Sequence, residues 1–423
     1  MSRKFSKNTA ASLYLVALAG TIAFGVENQY YNVFLYNEIA PIPLYVSLMV
    51  MITAAVSTFT ALFMGAFSDI RGKRRSFMIY AFIFWSITTA IFPFAAFVTH
   101  VLMAVTVAIL FDSVMSFFGA TAYDAAYRAW VIDVTTLENR GKAIAINEIM
   151  TLVSTLIVYG ISGFIIEAFG YYFFFILIGI VTAIIGIPGA LLVQDSPDLR
   201  PLNVKYWEHI KSTFRVKSLK ENRNTFLILI AIAIWAIAFN VFFPFIIIYL
   251  QHQVGLGLFD ASLVVFIALL VSIILGLFIG RLVDKAGRKK FAIISVIFMS
   301  GSLILFSFTQ DFILLIIFGI MWVLGMTTWH ISAQTWVNDL FPKEKAGQFQ
   351  GYYLIFNVLI GMLVGPLIGN TVAELWGEWK LIEGVMGLVP PPHIFFVAAF
   401  IMLFALIPVF LAKEKKNEQI EGF

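Results

Sequence analysis

The sequence predicts an all-α membrane protein in which twelve transmembrane helices form two pseudo-symmetric six-helix bundles. Three observations predict this fold class: the composition, apolar runs of membrane-spanning length, and an internal repeat. Of the 423 residues, 61% are hydrophobic and 12% are charged, whereas about 25% of the residues of a typical soluble domain are charged. This composition excludes an ordinary soluble enzyme, and the lack of cysteine excludes disulfide frameworks and thiol nucleophiles.

The apolar runs are long enough to cross about 30 Å of hydrocarbon as helices. A helix is expected for each run because every backbone N–H and C=O group must be satisfied within its own segment in lipid. The predicted spans lie near 11–36, 45–68, 76–97, 101–127, 143–166, 171–193, 224–250, 260–282, 290–309, 312–335, 347–372 and 392–412.

The distribution of basic residues predicts the orientation of these spans. Of the 28 lysines and arginines, only Lys380 lies on the face opposite the chain termini when successive loops are assigned to alternate sides. The positive-inside rule then predicts a multi-pass protein of the plasma membrane with both termini in the cytoplasm. The polar segment 194–223 predicts a cytoplasmic linker between an N-terminal bundle at 1–193 and a C-terminal bundle at 224–423.

A search for self-similarity supports the division into two halves. A G-x-x-x-D-x-x-G pattern followed by basic residues occurs at 65–75 and again at 280–290, each time at the end of the second helix of its half. A second pair of similar segments, 130–141 and 336–347, follows in the same order. Two matches in the same order indicate duplication of a six-helix unit.

The repeated pattern and the layout of six plus six helices resemble the major facilitator superfamily over essentially the whole chain. The resemblance implies a secondary transporter that works by alternating access to a midplane site. Within the repeated motif, Gly65 and Gly280 are expected to permit close helix approach. Asp69 and Asp284 are expected to accept hydrogen bonds from helix N-termini or nearby arginines. Ile70 stands where the family pattern has a basic residue, which leaves the partner of Asp69 open.

Further gating residues are predicted near the same ends of the helices. Asp124 and Arg128 lie four residues apart on the fourth helix and can therefore pair. Asp133 and Arg288 belong to the repeated segments and complete the predicted gating set. The alternative interpretation is that the basic residues of these loops serve only to set the topology.

A narrower resemblance concerns the substrate. Segment 128–141 and segment 339–351 are similar to the signatures between helices 4 and 5 and between helices 10 and 11 of two related groups. These groups are the glycoside, pentoside and hexuronide cation symporters and the sucrose-type proton symporters. The resemblance implies a sugar as the substrate class.

Few ionisable residues lie at membrane depth, where a charge is costly. Glu27 on the first helix and Asp112 on the fourth have no cation at their level. An acid that is protonated on one side of the membrane and ionised on the other provides what proton coupling requires, so these two are the predicted proton-coupling residues. Two alternatives remain: each acid is only hydrogen-bonded to a neighbour such as Asn28 or Ser116, or amide and backbone oxygens complete a sodium site.

Polar and aromatic residues on the same helical stripes predict the substrate site. Aromatic faces stack on the apolar faces of sugar rings, while amides and carboxylates bind hydroxyl groups. Simple packing is the alternative interpretation of an aromatic stripe. The predicted substrate-binding residues are Asn28, Tyr30, Tyr31, Tyr123, Trp329, Gln334 and Asn357.

The absence of certain residues and motifs excludes further classes of function. No lysine or arginine occurs in the central third of a span, which disfavours organic anions as substrates. No phosphate-binding loop, zinc-protease motif or nucleophile elbow is present, so we expect no enzyme, cofactor, metal site or nucleic-acid partner. The leading hypothesis is a monomeric transporter that imports a neutral sugar or glycoside with protons. The rivals are a proton-coupled exporter of lipophilic or cationic compounds and a non-transporting receptor or scaffold.

Overall fold

The computed structural model describes residues 5–136, 139–196, 199, 201, 206–207, 222–341, 346–382 and 384–414, without the side chains of 284, 346–348 and 350. Within these ranges, eleven helical stretches are long and apolar enough to cross a membrane. They are Lys7–Ile39 (α1), Pro43–Arg71 (α2), Arg75–Phe97 (α3), Val101–Val134 (α4), Arg140–Leu191, Arg223–His252 (α7), Leu258–Val283 (α8), Arg288–Ser307 (α9), Phe312–Leu340 (α10), Gly351–Trp376 (α11) and His393–Leu411 (α12).

The stretch Arg140–Leu191 contains two spans. As a single helix its 52 residues would extend about 78 Å at 1.5 Å per residue, far more than one crossing requires. Gly170 interrupts the helix with a φ of 80°, a conformation that glycine adopts readily because it lacks a Cβ atom. The segments before and after Gly170, named α5 and α6, complete the twelve predicted spans.

Glycines also shape the two copies of the repeated motif. At the end of α2, Gly72 has a φ of 60°. The N–H groups of Gly72 and Lys73 donate to the carbonyl oxygens of Asp69 and Ser68 at 3.1 and 3.3 Å, which satisfies acceptors that the last helical turn leaves free. In the second copy, Gly287 has a φ of 94° and precedes α9. Each copy therefore has a glycine at the turn between two consecutive spans.

One short β-hairpin lies between α11 and α12. Strand β1 (Glu378–Ile382) pairs antiparallel with β2 (Val385–Val389), and the turn contains Gly384 with a φ of 84°. The N–H of Leu388 donates to the carbonyl oxygen of Pro41 at 2.9 Å, which attaches the hairpin to the loop between α1 and α2. The prediction of an all-α chain was therefore incomplete, because two five-residue strands do not stand out from an ordinary loop between spans.

Four spans contain π-helical turns, which add a residue to the ordinary helical turn and often mark functional sites. The turn in α4 and the turn in α10 occupy equivalent places in the internal repeat. Six of the seven predicted substrate-binding residues lie in these turns, as does Glu27. The turns are Glu27–Tyr31 and Leu35–Ile39 in α1, Ala120–Tyr127 in α4, His330–Gln334 in α10 and Ile355–Leu359 in α11.

The described residues pack into two compact units. The first unit is drawn from Met1–Thr213, Asn240–Phe266 and Met362–Ile394, and the second from Phe214–Phe239, Ile267–Gly361 and Phe395–Phe423. The first unit thus combines α1–α6 with the hairpin and with parts of α7, α8 and α11. The predicted domain boundary at 194–223 stays a prediction, because much of that segment lies outside the described residues.

The first unit is closed at the end where α1 leads into α2. Asn37 donates through Nδ2 to the hydroxyl of Tyr171 at 2.9 Å, and its Oδ1 lies 2.8 Å from Nε2 of His252. The hydroxyl of Tyr36 donates to the carbonyl oxygen of Leu388 in the hairpin at 2.8 Å. Side chains of α1 therefore connect α6, α7 and the hairpin at this end.

Candidate transport site

An acid cluster lies between α1 and α4 in the first unit. The π-helical turn Glu27–Tyr31 carries Glu27, whose Oε1 accepts a hydrogen bond from the hydroxyl of Ser116. The carboxyl groups of Glu27 and Asp112 also interact with each other. Glu27 is 9% exposed and Asp112 is 2% exposed. The structure therefore brings the two predicted proton-coupling residues into one buried cluster.

The hydrogen bonding of this cluster is incomplete without a proton. Oε2 of Glu27 and Oδ1 of Asp112 have no hydrogen-bond donor among the described residues. Leaving a buried oxygen without a donor costs free energy, and two ionised carboxylates cannot donate to each other. In the described part of the chain no lysine or arginine forms an ion pair with either acid. A proton held by one of the two acids would supply a donor to the cluster.

Aromatic side chains surround the acid cluster. The rings of Phe24 and Trp85 lie 4.9 Å apart, and the hydroxyl of Tyr31 donates to Sδ of Met115 at 3.2 Å. Gly119 permits this packing, because a Cβ atom there would lie 2.9 Å from the ring of Trp85. Tyr31 interacts with both acids, so the surroundings of the cluster combine hydroxyl groups with aromatic and thioether groups.

Tyr30 and Tyr31 do not present a free surface to a substrate. The hydroxyl of Tyr30 is hydrogen-bonded to that of Ser262 at 2.9 Å, and its ring lies 5.6 Å from that of Phe174. Tyr31 stacks on Phe92 with ring centroids 3.7 Å apart, and both tyrosines are 0% exposed. In this conformation both side chains are engaged by neighbouring rings, and their contact with a substrate stays a prediction.

Asn28 and Tyr123 border a polar region of the first unit. Asn28 is exposed and donates through Nδ2 to the carbonyl oxygen of Phe24 at 2.7 Å. The hydroxyl of Tyr123 donates to Oδ1 of Asn147 on α5 at 2.9 Å. Sequence reasoning missed Asn147, although an amide next to Glu148 within a span was a usable signal.

In the second unit, Trp329 belongs to an aromatic cluster. It stacks on Trp235 of α7 with ring centroids 5.8 Å apart and an interplanar angle of 14°. The ring of His330 is steeply inclined to that of Trp235, with ring centroids 5.1 Å apart. Gln334 and Asn357 lie in the π-helical turns of α10 and α11 and are half-buried. Trp235 had not been predicted as a site residue, because a lone tryptophan in a span is usually packing.

Arg74 is the partner of Asp69 that the sequence had left open. Its Nη2 lies 2.5 Å from Oδ1 of Asp69, and its Nε donates to Oδ2 of Asp133 at 2.9 Å. Nη1 donates to the hydroxyl of Ser68. The Arg74 side chain is only 4% exposed, so this arginine joins two predicted gating acids in a largely buried ion-pair network.

The other predicted gating pairs are found within single units. In the second unit, Arg288 forms an ion pair with Asp339, whereas the side chain of Asp284 lies outside the described residues. In the first unit, Nη2 of Arg128 lies 3.1 Å from Oδ1 of Asp124, as their spacing predicted. Whether these pairs act in gating stays a prediction.

Two carboxylates that sequence reasoning missed cap the third helix of each half. Oδ1 of Asp195 accepts from the backbone N–H groups of Arg74 and Arg75 at 2.8 and 3.1 Å. Glu414 accepts from the N–H of Arg288 at 2.6 Å and from that of the next residue at 3.3 Å. Both acids follow the last helix of their half, so their pairing with a distant helix start leaves no local sequence signal.

The expected close approach at Gly65 and Gly280 is not present in this structure. A Cβ atom built at either position would meet no atom within 4 Å. Among the residues that the structure describes, no atom lies close enough to either glycine for its missing Cβ atom to matter in this conformation. A role for them in gating stays a prediction.

The comparisons with known proteins agree with this architecture. The family model described as Major Facilitator Superfamily matches residues 13–363 and, in a second match, 239–422. Multidrug resistance protein 2 of Bacillus subtilis (strain 168) is 23% identical over 368 residues, which cover 85% of this chain and 84% of that protein. The D-xylose transporter of Levilactobacillus brevis is 27% identical over 158 residues, which cover 37% of this chain and 34% of that protein.

Solved structures show the same fold. The inward-open xylose transporter XylE from E. coli superposes with a TM-score of 0.71 at 15% identity, over 96% of this chain and 97% of that chain. At this identity the likeness concerns the fold alone, whereas the family match spans nearly the whole sequence. The chain belongs to the Major Facilitator Superfamily of membrane transporters.

Proposed function

We propose that this transporter couples substrate movement to protons through Glu27 and Asp112, and that it exports lipophilic or cationic compounds. The observation that carries the proposal is the pair of interacting buried carboxyl groups, each with one oxygen that has no hydrogen-bond donor among the described residues. A pair that must hold a proton while buried can release it on contact with water or with a cation. Proton release and cation binding are then linked at one site.

The surroundings of the pair support a proton in preference to sodium. A sodium ion is a hard cation and needs several oxygen ligands at one level. Oε1 of Glu27 is already engaged by Ser116, and the Phe24 and Trp85 rings and the Met115 thioether belong to the same part of the first unit. These groups favour an organic cation, which gains from aromatic faces, over a small metal ion.

The aromatic cluster of the second unit supports export of lipophilic or cationic compounds. Trp235 stacks on both Phe239 and Trp329, which gives an apolar aromatic cluster with little hydrogen-bonding capacity, although both tryptophans are buried in this conformation. The relative that matches most of the chain bears the name Multidrug resistance protein 2. Both observations fit substrates that are recognised by apolar contact and charge.

Import of a neutral sugar with protons remains the second candidate. Its support is the exposed Asn28 and the hydrogen bond between Tyr123 and Asn147, since amides and hydroxyls suit sugar recognition. The D-xylose transporter of Levilactobacillus brevis adds a relative with such a substrate, over about a third of its length. The burial of Tyr30 and Tyr31 in this conformation counts against this candidate, because both were predicted to contact the sugar.

The excess of basic residues on one face further supports a plasma-membrane protein with both termini in the cytoplasm. We take the transporter to act as a monomer, since the acid cluster lies within one unit of one chain.

Transport into proteoliposomes tests the proposal. An exporter that exchanges protons for cations accumulates tetraphenylphosphonium in vesicles that are acidic inside, whereas a symporter accumulates D-xylose in vesicles that are acidic outside. Both experiments use the same preparation, with a protonophore as the control that removes the gradient. Accumulation of D-xylose and no response of tetraphenylphosphonium would replace the exporter with the sugar symporter. Uptake that is insensitive to the proton gradient in both experiments would refute proton coupling.

A further inference from the structure

An apolar groove lies on the first unit between α2, α3 and α4. Its volume is about 320 Å³, at the lower end of the range of small-molecule pockets. Tyr80 at its edge is 66% exposed and Phe84 is 47% exposed, so the groove opens on the outer surface of the helices. Its lining includes Met64, Phe77, Ala81, Phe84, Phe118 and Thr121.

The lining of the groove is suited to hydrocarbon. Ser76, Thr121 and Tyr80 contribute its hydroxyl groups, and Tyr80 is largely exposed at the edge. The Thr121 hydroxyl already donates to the carbonyl oxygen of Phe117 at 2.7 Å, so it places no demand on an occupant. The rest of the surface is aromatic, methionine or alanine, and an alkyl chain fills such a groove without leaving a polar group unpaired.

One end of the groove adjoins a positively charged loop. The guanidinium of Arg71 lies over the ring of Phe67 at 5.0 Å, and Phe67 meets Phe77 of the groove edge-on at 5.6 Å. Lys73 and Arg75 in the same loop have exposed side chains. Three basic side chains therefore lie close to the end of an apolar groove.

The acids near this loop are already engaged. Asp69 and Asp133 pair with Arg74, which is buried. Asp195 accepts hydrogen bonds from two backbone N–H groups at the start of α3. The exposed charge of the loop is therefore positive and complementary to a phosphate group.

Two aromatic residues of the linker mark the depth of this end in the membrane. The hydroxyl of Tyr206 donates to the carbonyl oxygen of Phe63 at 3.1 Å, and its ring meets that of Phe67. Trp207 next to it is 63% exposed. Exposed tryptophan and tyrosine favour the headgroup level of a bilayer, so the basic end of the groove lies at the level of lipid phosphates.

We propose that this groove binds one anionic phospholipid, with an acyl chain along α3 and the phosphate near Arg71, Lys73 and Arg75. An anionic phospholipid matches the apolar lining, the basic loop and the headgroup depth of that loop. It carries an alkyl chain for the groove and a negative charge for the basic side chains, and the two are joined at the membrane interface. The bilayer supplies this occupant to a surface-opening groove, and basic residues at headgroup depth favour anionic lipids over zwitterionic ones.

Native mass spectrometry of the full chain in detergent tests the proposal, with phosphatidylglycerol and phosphatidylcholine of the same acyl chains as probes. We expect one phosphatidylglycerol to bind at least about tenfold more tightly than phosphatidylcholine. The triple variant R71Q/K73Q/R75Q should lose this preference, and Ser76→Phe, which fills the groove, should weaken the binding of both lipids. Matched controls are Lys7→Gln, a basic residue at the start of α1, and Ile184→Trp, which adds bulk to a lipid-exposed position of α6.

The proposal is overturned if the native chain binds the two lipids equally. It is also overturned if the triple variant keeps the preference, since the charge would then act elsewhere. Should Ser76→Phe fail to fold, the comparison of the two lipids with the triple variant still decides the result. Equal weakening by the control variants would show ordinary annular lipid and not a site.

Discussion

Asp195 and Glu414 hold equivalent positions in the two halves of the chain. Each follows the last helix of its half, and each accepts hydrogen bonds from two consecutive backbone N–H groups at the start of the third helix, α3 or α9. A negative charge at a helix N-terminus is stabilising through both the free N–H groups and the helix dipole. The duplication thus extends to residues that no repeated motif contains.

Removing the cap at Asp195 should destabilise the first half. Asp195→Ala leaves two N–H groups of α3 without their acceptor, and caps of this kind are worth about 1 kcal/mol. We expect a lower apparent melting temperature of the purified protein, with partial recovery in Asp195→Asn, whose side-chain oxygen still accepts. The exposed Asp260→Asn serves as the control. An unchanged melting temperature in Asp195→Ala would show that the cap contributes nothing.

Arg74→Gln should have a larger effect on stability. The variant leaves Asp69 and Asp133 without the guanidinium that joins them, and breaking a largely buried ion pair costs about 3–5 kcal/mol. Denaturation of the purified variant, compared with the exposed control Lys142→Gln, measures the difference. A loss no greater than in the control would contradict a structural role for the network.

Asp112→Asn should abolish uphill transport while exchange of substrate survives in part. The amide can still take part in hydrogen bonds in the cluster but cannot carry a proton across the membrane. Counterflow and gradient-driven uptake in proteoliposomes separate the two activities, and Asp260→Asn is again the matched acid-to-amide control. Gradient-driven uptake at the native rate would remove Asp112 from proton coupling.

Glu27→Gln should lower substrate affinity as well as coupling. Glu27 lies in the same π-helical turn as the exposed Asn28, so its charge is expected to act on the substrate directly. For a cationic ligand we expect weaker binding, with a dissociation constant at least about tenfold larger, as measured by fluorescence titration. Native affinity combined with lost coupling would restrict Glu27 to proton transfer.

The affinity for a cationic ligand should rise with pH. Proton and cation compete for the Glu27 and Asp112 pair, so loss of the proton at higher pH favours the cation. Asp124, a further acid that acts on Glu27, is paired with Arg128. A neutral sugar that binds with the proton should show the opposite trend, as linkage requires. Titration of ligand binding across pH 5 to 9 in the native chain and in the double variant E27Q/D112N distinguishes them. A cationic ligand whose affinity falls as pH rises would contradict the competition.

Much of the fold could be predicted from the sequence because lipid imposes strict rules. Span length, the need to satisfy the backbone internally and the placement of basic residues gave the twelve helices. The break at Gly170 falls between the predicted spans 143–166 and 171–193, although the sequence did not show that a glycine with a positive φ makes it. The hairpin at Glu378–Val389 escaped because its strands are short.

The candidate site could be predicted only in part. Buried charge is rare enough that Glu27 and Asp112 were evident as single residues, but their contact depends on how α1 packs against α4. Tyr30 and Tyr31 share a stripe with Glu27, and periodicity alone does not show that other rings cover them. Asp195 was missed because the backbone groups it caps are distant in the sequence. Arg74 was missed because the basic residues of its loop were interpreted as setting the topology.

The closed end of the first unit sets a condition on turnover. Asn37 bonds to Tyr171 and His252, and Tyr36 bonds to the backbone of Leu388 in the hairpin. Under alternating access we expect a solute to leave or enter at this end, and these hydrogen bonds then break and reform in each cycle. The two bonds of Asn37 are only partly buried, so water can replace them at small net cost. The bond of Tyr36 is buried, and we therefore expect its separation from the hairpin to be the slower step when this end opens.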